Sequence, residues 1–360
     1  MDKKIIRADL LLLLVACIWG FAFSAQRVII DYVGPFTFNA IRFFLGALVL
    51  VPVMLIIKNK KTAGDMPQSP HVPREDIANK GNRLFKDVNN KTPLNLREAV
   101  LPAKTIIKTI IPPLVIGFCL FMAASLQQVG LFWTTAGKSG FITGLYVVFV
   151  PIVGILLHRK TGKSTWIGAV LTFCGLFFVA GIGELLISSI KTGIMDTSTI
   201  NFGDLLTVIS VFFWTSHVLF IDYYLKDYKP VTLAFGQFMV CSFLSLLCAL
   251  LGISTLAGVN GGPELVDSGF NLVSLIQIVI PILYGGLCSV GIANTLQVVA
   301  QKDAPPAHAA ILMSLETVFA AVGGFLILDE RPTHTAMLGF GLMLIGMLAT
   351  QWDVIWKKKL

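Results

Sequence analysis

The sequence predicts an all-α membrane protein with ten transmembrane helices arranged as two inverted five-helix repeats, and three observations predict it. Apolar residues make up 55% of the 360 and charged residues only 13%, with a mean hydropathy of +0.80, far from a soluble chain of this length. The apolar residues fall in runs of about 20, long enough as helices to cross a hydrocarbon core of ~30 Å. The second half of the chain also repeats the register of the first.

Lys3, Lys4 and Arg7 precede the first run, as in a secretory leader, but no A-x-A-like site follows it and the run recurs later as a repeat unit. A retained first helix over about 9–30 is therefore predicted, closed by the turn Asp31-Tyr32-Val33-Gly34-Pro35. The second helix must run from about Pro35 to Ile57, because its uncharged part from Phe43 is too short to span. This draws Arg42 about 10 Å into the membrane-embedded length.

Lys58 to Lys108 is a polar insertion with eleven Lys or Arg and five Asp or Glu, which supplies +6 of the net +8. Its composition cannot bury a core of its own. Its last part, Leu94 to Lys108, is either a solvated basic loop or a segment lying along lipid headgroups.

The third and fourth helices are expected over about 110–133 and 138–158. In the fourth, Gly140 and Gly144 permit close helix approach and Pro151 frees a backbone carbonyl. A fifth helix (165–183) and a Ser/Thr/Gly-rich linker (184–202) complete the first half. Helices over about 204–225, 230–252, 271–297, 306–328 and 333–353 make the second, with Gly261-Gly262-Pro263 in the loop before the eighth.

Sliding the chain on itself by 195 residues places Asp9 on Asp204, Trp19 on Trp214, Pro35 on Pro230, Thr37 on Thr232 and Phe43 on Phe238. A slide of 170 places Leu126 on Leu296, Gln127 on Gln297, Phe149 on Phe319 and Gly154 on Gly324. The change of slide is absorbed in the connections between the second and third, and the seventh and eighth, helices. The repeats are thus 8–183, carrying the insertion, and 203–355. An odd number of spans in each makes the second copy enter from the opposite face. With the N-terminus in the cytoplasm, every Lys and Arg falls on cytoplasmic segments except Arg27, Arg42, Lys138, Lys191 and Arg331. A multi-pass protein of the plasma (inner) membrane with both termini cytoplasmic follows.

Glu316 is the leading candidate for function. It lies about 15 Å from either end of the ninth helix, too deep for its short side chain to reach an interface, so it must face protein or water. Arg42 is either a solute or counter-ion contact or a snorkelling anchor. His217 is either a proton-sensitive partner or a satisfied core histidine. Gln127, Gln128, Asn294 and Gln297, on the paired third and eighth helices, bind a polar solute or simply join helices. Trp19, Trp214 and Tyr146 line a cavity or pack. Asp9 and Asp204, at matched helix starts, read as N-caps.

The six cysteines sit in apolar runs without a C-x-x-C pair or a His at metal spacing, and read as packing residues, so neither metal nor cofactor is expected. The basic residues are not interleaved with exposed aromatics, which argues against nucleic acid as a partner.

The chain resembles the drug/metabolite transporter superfamily, specifically its EamA-type members. The match is carried by Trp19-Gly20, Arg42-Phe43, Ser139 to Pro151 (SGFITGLYVVFVP), Gly203-Asp204-Leu205-Leu206, Trp214, Gln237, Leu315-Glu316 and Asp329-Glu330-Arg331. Thr317 departs from the family's Pro after the ninth-helix Glu, and the insertion is longer than the usual connection. The resemblance implies a ten-helix bundle of two inverted EamA repeats moving small organic solutes (metabolites, amino acids or drug-like compounds) through a central cavity, with the lipid bilayer as its other partner and a proton as a candidate coupling ion. A non-transporting sensor or scaffold on the same bundle is the alternative. An intramembrane enzyme would need paired aspartates, H-E-x-x-H or a Ser with a His base, and none of these motifs occurs. Substrate identity, transport direction and oligomeric state stay open.

Overall fold

The basic N-terminal segment does not precede the first helix; it forms the first turns of it. In the computed structural model, which describes residues 3–64, 103–134, 136–158, 161–179, 201–253, 272–329, 331 and 333–356, α1 spans Lys3–Ile29. Residues 3–8 contain neither Gly nor Pro, so nothing stops the helix short of them. Asp9 therefore lies more than a turn inside α1 and is not the N-cap expected of it. Residues 65–102 of the Lys58 to Lys108 insertion, residues 184–200 of the 184–202 linker, the Gly261-Gly262-Pro263 loop and the terminal lysines lie outside the described residues.

α2 (Pro35–Gly64) opens on a proline, whose missing N–H costs nothing at the first helical position. α3 covers Ala103–Gly130. The expected fourth helix is divided into α4 (Ala136–Gly144) and α5 (Tyr146–Leu156), followed by α6 (Lys163–Val179). α7 (Phe202–Tyr224) starts with a capping box: Asn201 Oδ1 accepts from the Asp204 N–H and Asp204 Oδ2 from the Asn201 N–H, both at 3.0 Å. Asn201 is thus the N-cap, and Asp204 is its reciprocal partner three residues on, a correction to the expected cap. α8 is Pro230–Leu250.

The eighth expected helix changes winding along its length, from α9 (Leu272–Leu283) through a π-helix (Tyr284–Asn294) to α10 (Thr295–Ala300). The wider π turns come with glycines that let neighbours in: a Cβ on Gly286 would lie 2.7 Å from Leu45, and one on Gly285 3.2 Å from Phe38. The ninth is divided into α11 (Pro306–Met313) and α12 (Glu316–Leu328), and α13 spans His334–Trp356.

The two divided helices break alike. Leu145 N–H donates to Ile142 O and Val148 N–H to Leu145 O; Leu315 N–H donates to Leu312 O and Val318 N–H to Leu315 O. These i to i−3 bonds tighten one turn. The slide of 170 that lays Gln127 on Gln297 lays each of these bonds on its counterpart. The ninth helix is therefore interrupted without the proline that Thr317 replaces, and the fourth is interrupted at Leu145.

Among the described residues, all regular structure is helical, and eight helices are long and apolar enough to cross a membrane; Lys163–Phe178 and His334–Thr350 are shorter apolar helices. Large apolar side chains such as Phe243, Leu326 and Leu338 stay about two-thirds exposed, as lipid-facing residues do. α6 and α13 meet backbone to backbone: a Cβ on Gly175 would fall 2.5 Å from Gly339 O, and one on Gly346 2.8 Å from Gly168 O. α1 and α7 run antiparallel. The last turn of α1 meets α3, where Gln128 Nε2 donates to Gln26 O at 3.4 Å, close to where Gly130 O abuts Gly203 at the start of α7. At the far end of α7, Gln301 Nε2 donates to Val218 O at 3.2 Å, just before α11.

Candidate functional site

One cavity collects residues from both halves of the chain. It lies wholly within the body formed by residues 1–50 and 113–360. α1 contributes Trp19 and Gln26, α2 Arg42, α3 Gln127, α5 Tyr146, α7 Trp214, the π-helix Ser289 and Asn294, α10 Gln297, and α12 Glu316.

Glu316 is the first residue of α12, immediately after the tightened turn, and only 3% of its surface is exposed. Tyr146, the first residue of α5, brings its hydroxyl beside the Glu316 carboxyl. No hydrogen bond of ordinary geometry closes between them, and both Tyr146 Oη and Glu316 Oε1 are left without a partner. Arg42 is 5% exposed and points into the cavity, not to an interface. Its guanidinium carbon sits 4.9 Å from the Phe38 ring and 5.0 Å from the Phe43 ring, and Nε lacks an acceptor. Among the described residues no carboxylate pairs with Arg42 and no cation pairs with Glu316. Two buried groups that carry opposite charges when ionised thus share one cavity without neutralising each other.

The aromatic and amide groups have distinct duties. Trp19 and Trp214, matched by the slide of 195, meet with ring centroids 6.4 Å apart, and Trp19 Nε1 donates to Ser289 O at 3.2 Å. Gln127 Nε2 donates to Thr143 Oγ1 at 2.7 Å. Gln26 Oε1, Asn294 Oδ1, Gln297 Oε1 and Trp214 Nε1 remain unpartnered at the lining, so three amide acceptors and an indole donor are available to a solute.

Besides Gln128, the cavity candidate named from sequence that is absent from the lining is His217. Its Nε2 meets Gln237 Oε1 at 2.8 Å and its ring packs edge-on against Trp214, centroids 5.8 Å apart. Its Nδ1 is buried without a partner. Gln128 is likewise spent on the backbone of α1. Sequence reasoning missed Gln26, Thr143, Ser289 and Met313 in the lining. Thr143 and Met313 carried a signal, since the slide of 170 pairs them in the same way as Gln127 and Gln297.

The sequence pattern of the EamA-like transporter family matches residues 6–69 and 201–351. A protein of Archaeoglobus fulgidus described as an uncharacterized transporter is 26% identical over 346 residues, covering 96% of this chain and 86% of the relative. One of Methanothermobacter thermautotrophicus with the same description is 22% identical over 338 residues, covering 93% and 83%. A solved crystal structure superposes with a TM-score of 0.62 over 98% of both chains at 14% identity, a likeness of fold alone.

Proposed function

The chain belongs to the EamA-like transporter family, and from that premise we propose that it is a secondary carrier that moves small organic solutes bearing both an anionic and a cationic end, by alternating access around this cavity. The observation that carries the reading is the unpaired state of Arg42 and Glu316 within one lining. An isolated buried charge is costly, by several kcal/mol after relaxation. A solute that offers a carboxylate to Arg42 and an ammonium to Glu316 satisfies both at once, while the Trp19 and Trp214 rings and the free amides of Asn294 and Gln297 accommodate its body.

The carrier consists of ten spans in two inverted repeats, 8–183 and 203–355, with the cavity at their interface. Contacts between matched residues support this: Trp19 with Trp214, both in the lining, and Phe43 with Phe238 at 6.3 Å between ring centroids. The Lys and Arg bias supports cytoplasmic termini in the plasma membrane.

Binding to the purified protein in detergent, read as thermal stabilisation, tests the solute class. The probes are a panel of zwitterionic amino acids, each with its decarboxylated amine and its deaminated acid. The zwitterion should stabilise most. Arg42→Gln should erase its advantage over the amine, and Glu316→Gln its advantage over the acid. Equal stabilisation by zwitterion, amine and acid would reject the two-ended recognition.

A further inference from the structure

Two ionisable pairs outside the cavity form a matched set. Asp9 Oδ1 on α1 meets His308 Nε2 in the first turn of α11 at 2.7 Å. Asp204 on α7 meets Lys138 Nζ in the first turn of α4, and its other carboxylate oxygen accepts from Thr134 Oγ1 at 2.6 Å. The slide of 195 lays Asp9 on Asp204, and the slide of 170 lays Lys138 on His308. Each pair therefore joins the first helix of one half to the start of the fourth helix of the other.

The pairs stand at opposite ends of the bundle. Asp9 and Asp204 each precede by ten residues, about 15 Å of helix, the tryptophan that meets its counterpart over the cavity. Because α1 and α7 run antiparallel past that contact, the two aspartates diverge from it in opposite directions. The surroundings agree: a second cavity, lined by Ile5, His308 and Leu219, joins the start of α1 to the end of α7, whereas Asp204 lies beside the turn after α3. All four ionic partners lie within 32% side-chain exposure, and both aspartates within 14%. These are interhelical ties and not solvated surface pairs.

We propose that Asp9–His308 and Asp204–Lys138, the latter with Thr134, are the two gates of the transport cycle, each broken when its own face of the cavity opens while the other holds. In this structure both are closed. The inference rests on the carrier reading above and adds the residues that give it two faces. The two ties differ in chemistry: Asp204 is held by Lys138, Thr134 and the Asn201 N–H, whereas Asp9 is held by His308.

The test places a single cysteine at Ala22, in the cavity lining, in a chain whose six native cysteines are replaced, and measures labelling by an impermeant thiol reagent in right-side-out and inverted membrane vesicles. Asp9→Asn and His308→Gln should each speed labelling severalfold from the Asp9 face and slow it from the other. Asp204→Asn and Lys138→Met should do the reverse. The swapped pair Asp9→His with His308→Asp should restore the wild-type ratio, which separates a gate from a merely destabilised helix. Labelling that is unchanged in every variant, or altered equally from both faces, would overturn the gates. Solute flux in the same vesicles reports the carrier reading separately, so either can fail without the other.

Discussion

Tyr146 and Glu316 bring a hydroxyl and a carboxyl side by side over the cavity, and the slide of 170 that lays Gln127 on Gln297 lays these two on each other. Each is the first residue after a tightened turn at a leucine, Leu145 or Leu315. The equivalent position of each half therefore supplies one polar group to the cavity, and only the second half supplies an acid.

Among the described residues that acid is the one carboxyl in the lining, and on the proposed carrier reading a proton is exchanged there during the cycle. Glu316→Gln retains shape and hydrogen bonding but fixes the charge at zero. At saturating solute it should spare exchange across the membrane and abolish pH-dependent accumulation. A Gln variant with the wild-type pH dependence of accumulation would refute proton linkage through this residue.

Arg42 should not be replaceable by lysine. A lysine keeps the charge but loses the planar stack on Phe38 and Phe43, worth about 0.5–2 kcal/mol, and the two-pronged grip on a carboxylate. Arg42→Lys is expected to unfold near the wild-type temperature while binding the best zwitterion at least ~10-fold more weakly, in line with the loss of a charge-assisted bond. Unchanged affinity would return Arg42 to a structural role.

His217 should behave as a core residue. Replacing it by phenylalanine strands Gln237 Oε1, which now has the imidazole as its partner, at an expected cost of about 1–3 kcal/mol. Thermal unfolding should move down while the pH profile of the remaining transport stays as in the wild type. A changed profile would bring His217 into the proton pathway.

Gly20 sets how close α1 comes to α12. A Cβ there would stand 2.3 Å from Phe319 Cβ and 2.7 Å from Glu316 O, so the two helices must separate. Gly20→Val should destabilise by about 1–3 kcal/mol and weaken solute binding as well, because the displaced backbone carries Glu316. Loss of stability without loss of affinity in the surviving protein would uncouple this contact from the site.

Much of this arrangement was legible in the residues. Depth alone singled out Glu316, since an ionisable group that cannot reach an interface must face protein or water, whereas the longer Arg42 side chain, about 10 Å in, could also snorkel. What escaped was set by tertiary context. Asp9 looked like a cap because the apolar run starts after it, but a helix without a breaker extends back through the lysines, and Asp9 became an interhelical partner. The break at Leu315 has no proline to announce it, and the π winding of Tyr284–Asn294 has no distinctive residue pattern beyond its glycines. The pairing of Lys138 with His308 lay in the same slide as Gln127 with Gln297, but registers alone do not say which residues touch.

Reconstitution tests the central claim most directly. Proteoliposomes preloaded with the zwitterionic amino acid that stabilises the protein best should take up the same labelled solute by counterflow, transiently exceeding equilibrium, and the double variant Arg42→Gln with Glu316→Gln should lose the overshoot while remaining folded. Binding in detergent with no counterflow in the wild type, at matched protein density and with tight vesicles, would contradict a carrier and favour a membrane sensor built on the same bundle.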